Sequence, residues 1–476
     1  MLAEFNLLLP TVLTLAAFRP APRADSIPLL LTRIGLDLKV DYGQGAVRGT
    51  ARLVLRNTSG HPVAAVPLLL NRLMSVTQVA DDVGGTLAFE QQVRVFADDP
   101  ARQVTTVIVT LPRPLRPEDS LAITVGYGGI LVGYTETGSL YIQDHVSYEF
   151  TILREDAYAF PVLGVPSWVD NQTIPREPFA FEARITVPAD LVVAMGGQRR
   201  ERRVIDSLAT WSYRGTAPVP FLNITIAPYG QLDGPSTTIF HFPGDSSGAR
   251  VLQQAVTASL GRYESWYGSL PAPPHLVVME IPEGFGSQAS LTAGIIQTAD
   301  AFRARSELRQ LYHELSHLWN VPDLDRPSPR WNEGLATFLQ WRMAAELDDW
   351  NAWDAQLQRV TQSLLQACGT SSPCNTIPLQ DYGRVGETDR SYTVGMLLFY
   401  ALYRTLGSAS FDHAYRTFFQ RYRSSGATTA ELVAVFHHEG SATDRIFDDW
   451  LTTTHWYTRL AGGETLADML TTYRPQ

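Results

Sequence analysis

The chain has 476 residues, which is long enough for several hydrophobic cores and predicts two to four domains. It contains 45% hydrophobic and 18% charged residues, a composition typical of a soluble globular protein. Its net charge of −10 is unfavourable for nucleic acids and for anionic membrane surfaces, so neither is expected as a general partner. One basic run, residues 199–203, lies between two β-like segments and is interpreted as a solvated hairpin tip.

Residues 1–27 are predicted to be a signal peptide or a membrane-proximal segment. Residues 5–18 are apolar and residues 21–24 resemble a signal-peptidase site, but no Lys or Arg precedes them and Glu4 is acidic. Pro10 interrupts the apolar stretch, which is too short for a comfortable transmembrane helix. The segment is therefore either an atypical signal peptide or the tail of a membrane segment from a longer gene product. Export to the periplasm, the exterior or a membrane surface is predicted, with a cytoplasmic location as the alternative and no firm membrane partner.

The chain has two cysteines, Cys368 and Cys374, in one short polar loop. Five residues between them are enough to close a small disulfide loop, which suits an oxidising compartment. The alternative is a pair of free thiols. No second Cys or His pair stands near them, so they are poor candidates for zinc ligands.

Residues 28–234 are predicted to form an N-terminal β-sandwich domain. Apolar residues alternate between positions 34 and 42 and again between positions 121 and 127, the spacing of a strand with one buried face. Short β-rich runs are separated by clusters of Gly, Pro, Asn and Asp, such as residues 57–60. Many short strands with turn signals between them favour a sandwich or a barrel.

Residues 235–476 are predicted to form a second region, in which strands and helices are mixed and the C-terminal part is helical. Strands are expected at residues 238–242 and 275–281, and helices at residues 249–267, 305–320, 331–348 and over nearly all of the chain beyond 392. Residues 428–431 carry a capping-box signature, which predicts the start of a helix.

The pattern H-E-x-x-H occurs at His313, Glu314 and His317. Residues four apart share one face of a helix, so both imidazoles can reach a single metal ion. The glutamate between them lies next to that ion, where it can take a proton from bound water. Chance alone gives roughly one such match per hundred chains of this composition, so the sequence around the motif decides its meaning.

Three further features support a zinc site. Glu333 follows a proline-rich loop at the start of a second helical stretch, and two antiparallel helices joined by that loop place it as a third ligand. Tyr392 opens a helical segment and can donate a hydrogen bond to the oxyanion of a tetrahedral intermediate. The Gly/Ser segment of residues 284–290 predicts an edge strand beside the metal, which can align a peptide substrate by β-augmentation.

These motifs resemble the membrane-alanyl aminopeptidase family of gluzincins, which includes leukotriene hydrolase, from about residue 28 to residue 476. Residues 313–317 match its H-E-L-x-H motif and residues 331–334 match its L-N-E-G motif. Residues 392–395 resemble its Y-x-K-G motif, and residues 446–451 resemble its late F-x-x-W-L segment. The resemblance implies a multidomain α+β fold with an N-terminal β-sandwich, a thermolysin-like gluzincin catalytic domain and a C-terminal helical region.

The resemblance also implies one zinc ion per chain, held by His313, His317 and Glu333, with Glu314 as general base and Tyr392 as oxyanion donor. It implies a zinc metallopeptidase of the aminopeptidase type, whose partner is a peptide or protein substrate. It does not give the oligomeric state or the preferred residue of the substrate.

The sequence departs from the family in the strand that recognises the substrate's free α-amine. The family has Gly-x-Met-Glu-Asn there, whereas this chain has Gly286, Ser287, Gln288 and Ala289, followed by Ser290, so Ala stands where Glu is expected. Glu283 is close but out of register, and Val394 replaces the Lys of Y-x-K-G. Residues 286–289 and Glu283 are candidate substrate-binding residues. The resemblance therefore implies hydrolysis without the family's usual recognition of a free amine.

Two alternatives are open at the level of sequence. Asp323 stands six residues after His317, the spacing of the third ligand in metzincin-like endopeptidases, with Asn320 at the position of their glycine. The flanking motifs favour Glu333 over Asp323. A non-catalytic scaffold with a peptidase-like fold is the second alternative, but such a protein has no need of the full set of His313, Glu314, His317, Glu333 and Tyr392.

Overall fold

A computed structural model describes residues 27–174, 177–271, 275–348, 353–370, 373–387 and 389–474. Nearly all of the predicted signal or membrane-proximal segment lies outside these residues. Within them, no helix is both long enough and apolar enough to cross a membrane.

The N-terminal region consists mainly of strands. They are β1 (Leu29–Asp41), β2 (Ala46–Asn57), β3 (Val63–Asn71), β4 (Met74–Asp81), β5 (Phe89–Val95), β6 (Gln103–Leu115), β7 (Ser120–Ile130), β8 (Thr151–Arg154), β9 (Val162–Leu163), β10 (Ala180–Pro188), β11 (Val192–Ala194), β12 (Gln198–Ile205), β13 (Leu208–Arg214) and β14 (Asn223–Ala227), with the short helix α1 (Trp168–Thr173) after β9.

Three sheets arrange these strands, in the orders β12-β13-β10-β1-β2-β7-β4, β5-β6-β3-β9 and β11-β14-β8. The alternation seen in the sequence decides which face is buried. In β1, Ile34, Leu36 and Leu38 are buried, while Asp37 and Lys39 between them are exposed. Apolar residues of the first two sheets belong to one continuous core, so the region folds as packed β-layers.

The basic run 199–203 is a strand rather than a hairpin tip, so that prediction was wrong. It lies in β12, at the edge of the seven-stranded sheet, and every residue of this strand is exposed. The turn follows it, at Asp206, whose φ of 53° is in the left-handed region that Asp tolerates in turns. A charged, solvated edge strand also discourages pairing with other chains.

The second region begins with a five-stranded sheet. Its elements are β15 (Gly230–Asp233), β16 (Thr237–His241), α2 (Ser246–Tyr267), β17 (Leu276–Ile281), β18 (Gln288–Ser290) and β19 (Gly294–Thr298). The order is β15-β16-β17-β19-β18, with β16, β17 and β19 parallel and the two outer strands antiparallel. The strand β18 therefore forms one free edge of this sheet.

The rest of the described chain is helical. The helices are α3 (Asp300–Arg303), α4 (Leu308–Ser316), α5 (Trp331–Leu347), α6 (Trp353–Thr370), α7 (Tyr382–Val385), α8 (Asp389–Tyr422, with a kink at Gly407), α9 (Thr429–His437), α10 (Ala442–Phe447), α11 (His455–Ala461) and α12 (Leu466–Tyr473). The capping box predicted at residues 428–431 is present at the start of α9. Cys368 and Cys374 form the predicted disulfide at the end of α6.

Arg154 connects the N-terminal region to the segment that leads into β18. Its guanidinium is almost fully buried and donates to both carboxylate oxygens of Asp144. It also donates to the carbonyl oxygens of Tyr141 and Phe285, each at 2.9 Å. Because removing one partner of a buried ion pair is costly, this contact fixes the position of the edge strand relative to the first region.

Candidate metal centre

Helix α4 presents the two histidines of the motif on one face. The rings of His313 and His317 lie with their centroids 4.9 Å apart, as expected for residues four apart on a helix. Glu314, between them in sequence, is buried. A hydrogen bond holds α4 against α2, because the phenol of Tyr263 in α2 donates to the carbonyl oxygen of Tyr312 at 2.8 Å.

Glu333 enters the same site from the first turn of α5. Its Oε2 lies 3.4 Å from Nε2 of His313 and 3.5 Å from Nε2 of His317. The three ligand atoms all lie within 4.8 Å of one another. Two imidazole nitrogens and one carboxylate oxygen are the ligands of many catalytic zinc ions, with a fourth position left for water. The residues present therefore fit a zinc ion.

The amide of Asn320 supports the second histidine. Its nitrogen lies 2.7 Å from Nδ1 of His317, the ring atom that points away from the candidate metal position. Hydrogen bonds to this second ring nitrogen orient metal-binding histidines and fix their tautomer. Asn320 itself has an extended backbone, with φ −68° and ψ 147°, rather than the left-handed turn that the metzincin-like alternative needs.

Asp323 does not join the three ligand residues. Its carboxylate accepts hydrogen bonds from the backbone N–H of Asp325, at 2.9 Å, and from the hydroxyl of Ser328. These contacts organise the loop between the two helices. The geometry thus supports Glu333, rather than Asp323, as the third ligand.

The charges at the centre perturb its two carboxylates in opposite directions. Burial raises the pKa of Glu314, and the neighbouring charge of Glu333 acts in the same direction. Burial alone would also raise the pKa of Glu333, but His317, His313 and Arg330 outweigh it and hold this pKa well below its usual range. Glu333 is therefore ionised, as a metal ligand must be.

Tyr392 reaches the centre from α8 because α5 and α8 approach each other closely. A Cβ atom on Gly334 would lie 2.3 Å from the Cα of Gly395, so this contact requires glycine. The ring of Tyr392 stacks on that of His313, with centroids 6.0 Å apart. Burial, together with the charge of Glu333, raises the pKa of Tyr392, so the phenol keeps its proton.

Arg330 is a residue of the site that the motifs did not indicate. It immediately precedes α5, and its Nη2 lies 3.2 Å from Oε1 of Glu333 and 3.3 Å from the phenol oxygen of Tyr392. The available signal was its spacing, because a residue three before a carboxylate ligand can reach that ligand when the two flank a helix start.

The predicted substrate strand lies beside the centre, but it is shorter than expected. Only Gln288, Ala289 and Ser290 form β18, which pairs with β19 and lies next to the helix that carries the histidines. Gly286, with φ 74°, and Ser287 belong to the loop before it. The hydroxyl of Ser287 accepts from the backbone N–H of Thr298 at 3.2 Å, which holds this loop against the sheet.

Glu283 was the sequence's candidate for a replacement amine-binding carboxylate, and the structure gives it an ion-pair partner of its own. Glu283 pairs with Arg303 at 3.3 Å, and this arginine also holds Asp245, so Glu283 is committed to the α3 side of the sheet. The carboxylate beside β18 is instead Asp156, whose Oδ2 accepts from Nε2 of Gln288 at 2.8 Å. No sequence signal connects two residues that are 132 positions apart.

Comparison with known proteins agrees with this geometry. Residues 294–450, which contain both histidines, Glu333 and Tyr392, match the description "Peptidase family M1 domain". The family whose model matches this part of the chain is the one that the motifs resemble.

Curated relatives of this family cover part of the chain. Aminopeptidase M1-B of Oryza sativa subsp. japonica is 24% identical over 229 residues, which are 44% of this chain and 26% of that protein. Aminopeptidase M1-D of the same organism is 22% identical over 300 residues, which are 57% of this chain and 34% of that protein. The matched part thus spans about a quarter to a third of these M1 relatives.

Solved structures of M1 proteins share the fold over most of the chain. An M1 zinc metallopeptidase from Deinococcus radiodurans, a mutant bound to a Tyr-Ser-Ala substrate, has a TM-score of 0.66 at 19% identity and covers 89% of this chain and 94% of its own. Yeast LTA4 hydrolase has a TM-score of 0.67 at 15% identity and covers 94% of this chain and 72% of its own. The predicted α+β architecture, with a β-rich N-terminal region, a catalytic domain and a helical C-terminal region, is confirmed.

Proposed function

We propose that this M1 protein is a zinc-dependent metallopeptidase that hydrolyses peptide bonds with an activated water. The observation that carries the proposal is the convergence of His313, His317 and Glu333, whose ligand atoms lie within 4.8 Å of one another. Glu314 is a buried residue next to His313 in α4, and the ring of Tyr392 stacks on that of His313. A scaffold protein has no use for this combination of a metal site, a buried carboxyl and a protonated phenol.

Zinc, when bound, acts as a Lewis acid that acidifies a water molecule and polarises the scissile carbonyl. His313, His317 and Glu333 would hold the ion. Glu314 takes the proton of the attacking water and then passes it to the leaving amine. Tyr392 donates its hydroxyl proton in a hydrogen bond to the oxyanion.

The free edge of β18 aligns the substrate. An extended peptide can pair with the backbone of residues 288–290, which places its scissile bond next to the helix α4. The related rice proteins are named aminopeptidases, and the D. radiodurans structure holds a short peptide. We infer a peptide or protein substrate, cut in an aminopeptidase-like manner.

This protein should bind a free substrate amine more weakly than a protein with a carboxylate at position 289 would. Ala289 offers no charge to a substrate ammonium, and Glu283 is committed to Arg303. The neighbouring Asp156 already accepts a hydrogen bond from Nε2 of Gln288 at 2.8 Å. A relaxed exopeptidase, or an enzyme that also cuts inside short peptides, is expected.

Two variants test the proposed chemistry. The wild type is expected to carry about one zinc per chain by elemental analysis, and His317→Ala to lose most of it. Glu314→Gln should keep the zinc but lose turnover by several orders of magnitude, because the general base is gone while the ligands remain. Equal zinc in the wild type and His317→Ala, or near-normal turnover in Glu314→Gln, contradicts the proposal. Export stays a prediction.

A further inference from the structure

Arg330 places a guanidinium between the third metal ligand and the tyrosine. Its Nη2 lies within hydrogen-bond distance of both Glu333 Oε1 and the phenol oxygen of Tyr392. Its Nε is buried and has no hydrogen-bond partner among the described residues. The hydrogen bonds that this side chain makes in the described part of the chain therefore all go to residues of the metal centre.

A structural arginine in the same protein looks different. Arg154 is more fully buried, with 1% of its side chain exposed against 31% for Arg330, and it makes a two-point contact with Asp144 and donates to two backbone carbonyl oxygens. Such a pattern holds two chain segments together. Within the described residues, Arg330 donates to no backbone carbonyl oxygen and leaves a buried N–H donor unused, which is a poor arrangement for stability alone.

The backbone of Arg330 is held in a conformation that disfavours arginine. Its φ of 58° and ψ of 29° lie in the left-handed region, where the Cβ of an L residue crowds the following carbonyl oxygen. Glycine would meet this conformation at lower cost. The hydroxyl of Ser328 accepts from the N–H of Arg330 at 3.1 Å and stabilises the turn. Strain of this kind persists where the side chain is needed for function.

We propose that Arg330 is a positioning residue that fixes the direction of the Tyr392 hydroxyl proton, an inference that rests on the proposed peptidase function. A guanidinium carries only donors, so the phenol oxygen must accept from it. A phenol has a single hydrogen, and with its oxygen engaged by Arg330 that hydrogen is left to be donated into the cleft. The hydroxyl then points at the oxyanion before the reaction begins and needs no reorientation.

The two carboxylate oxygens of Glu333 have different partners. Arg330 faces Oε1, whereas Oε2 faces the two histidines. The negative charge of Glu333 lies between Arg330 and the zinc position and offsets the repulsion between the guanidinium and a zinc ion. Without it, this repulsion would weaken metal binding. Arg330 can therefore remain beside a dication without displacing it.

A double-mutant cycle between Arg330→Met and Tyr392→Phe tests this inference in the zinc-loaded full chain. Tyr392→Phe should lower kcat by roughly 10²–10³-fold, the size of one lost oxyanion donor, with little change in KM. Arg330→Met should lower kcat at least about tenfold, and the double variant should be no slower than Tyr392→Phe alone, because both changes remove one shared interaction. Arg330→Lys, which keeps a charged donor, should recover part of the loss.

Arg384→Met is the matched control, since this exposed arginine pairs with Asp381 on the surface, and it should behave as the wild type. A second readout does not depend on turnover: the affinity for a phosphinic peptide, a tetrahedral mimic of the oxyanion, measured by calorimetry. The losses of this affinity in Arg330→Met and Tyr392→Phe should likewise not add in the double variant. Zinc content and the thermal midpoint of each variant accompany both measurements.

Additive losses in the cycle overturn the inference, and so does wild-type kcat in Arg330→Met. Loss of zinc from Arg330→Met under conditions in which Tyr392→Phe keeps it also overturns the inference, because the role of Arg330 would then lie in supporting Glu333. A wild type that binds neither zinc nor the phosphinic peptide refutes the proposed function itself, and the inference with it. These outcomes are distinct from one another.

Discussion

Selectivity for a free substrate amine is the property in which this protein should differ most from the M1 peptidases that it resembles. A charge-assisted hydrogen bond from an ammonium to a carboxylate contributes about 1.5–3 kcal/mol, which is roughly 10–150-fold in kcat/KM. Ala289 supplies none of this. Asp156 is a carboxylate beside β18, but it already accepts from Gln288 at 2.8 Å and lies 4.0 Å from Arg154. The wild type should therefore prefer a free over an acetylated N-terminus by only about tenfold or less.

The measurement is kcat/KM for one peptide with free and acetylated N-termini, in the wild type and three variants. Ala289→Glu should raise the preference for the free amine by at least about tenfold, because it adds a carboxylate to the edge strand. Glu283→Gln is the control and should change nothing. A wild-type preference above about a hundredfold, near 2.7 kcal/mol, refutes the reasoning. If Asp156→Asn then abolished that preference, Asp156 would be the amine-binding group.

Other predictions concern the metal, the core and the dependence on pH. Glu333→Ala should lose zinc while Asp323→Ala keeps it, as elemental analysis can show; the reverse would support the metzincin-like ligand set. Arg342→Met should lower the free energy of unfolding by about 3–5 kcal/mol in urea denaturation, because it leaves the carboxylate of Asp412 without its two-point partner. Burial, aided by the neighbouring charge of Asp245, raises the pKa of Glu280 from 4.5 to about 8. A carboxyl whose pKa is raised in the folded protein destabilises that protein progressively as the pH rises from 4.5 to about 8. Glu280→Gln should therefore raise the thermal midpoint at pH 8.5 and change it little at pH 5. An equal effect at both pH values would contradict this assignment.

The features that the sequence predicted well are governed by short-range geometry. His313 and His317 share a face because they are four residues apart, whatever the rest of the fold does. The alternation in β1 gives the buried face of a strand directly. Cys368 and Cys374 are close in sequence, so the disulfide needs only a local turn. The third ligand, Glu333, could be predicted from the sequence because its motif lies on the helix that follows a short loop.

The features that the sequence did not predict depend on contacts between distant segments or on backbone conformation. Asp156 meets Gln288 only because Arg154 ties the N-terminal region to the loop before β18. Glu283 lies near the substrate strand in sequence, yet its carboxylate pairs with Arg303 of α3. The basic run at 199–203 has no glycine or asparagine, and the structure places the turn at the next residue able to adopt a left-handed conformation.

This division suggests that the chemistry of the protein and its substrate preference are determined by different parts of the chain. The metal ligands and Glu314 come from two consecutive helices, α4 and α5, and depend little on the N-terminal region. The groups around β18 belong partly to that region, through Asp156 and Arg154. Changes at the contact between the two regions should therefore alter which peptides are cut without releasing zinc, whereas changes in α4 or α5 should affect the cleavage of every peptide alike.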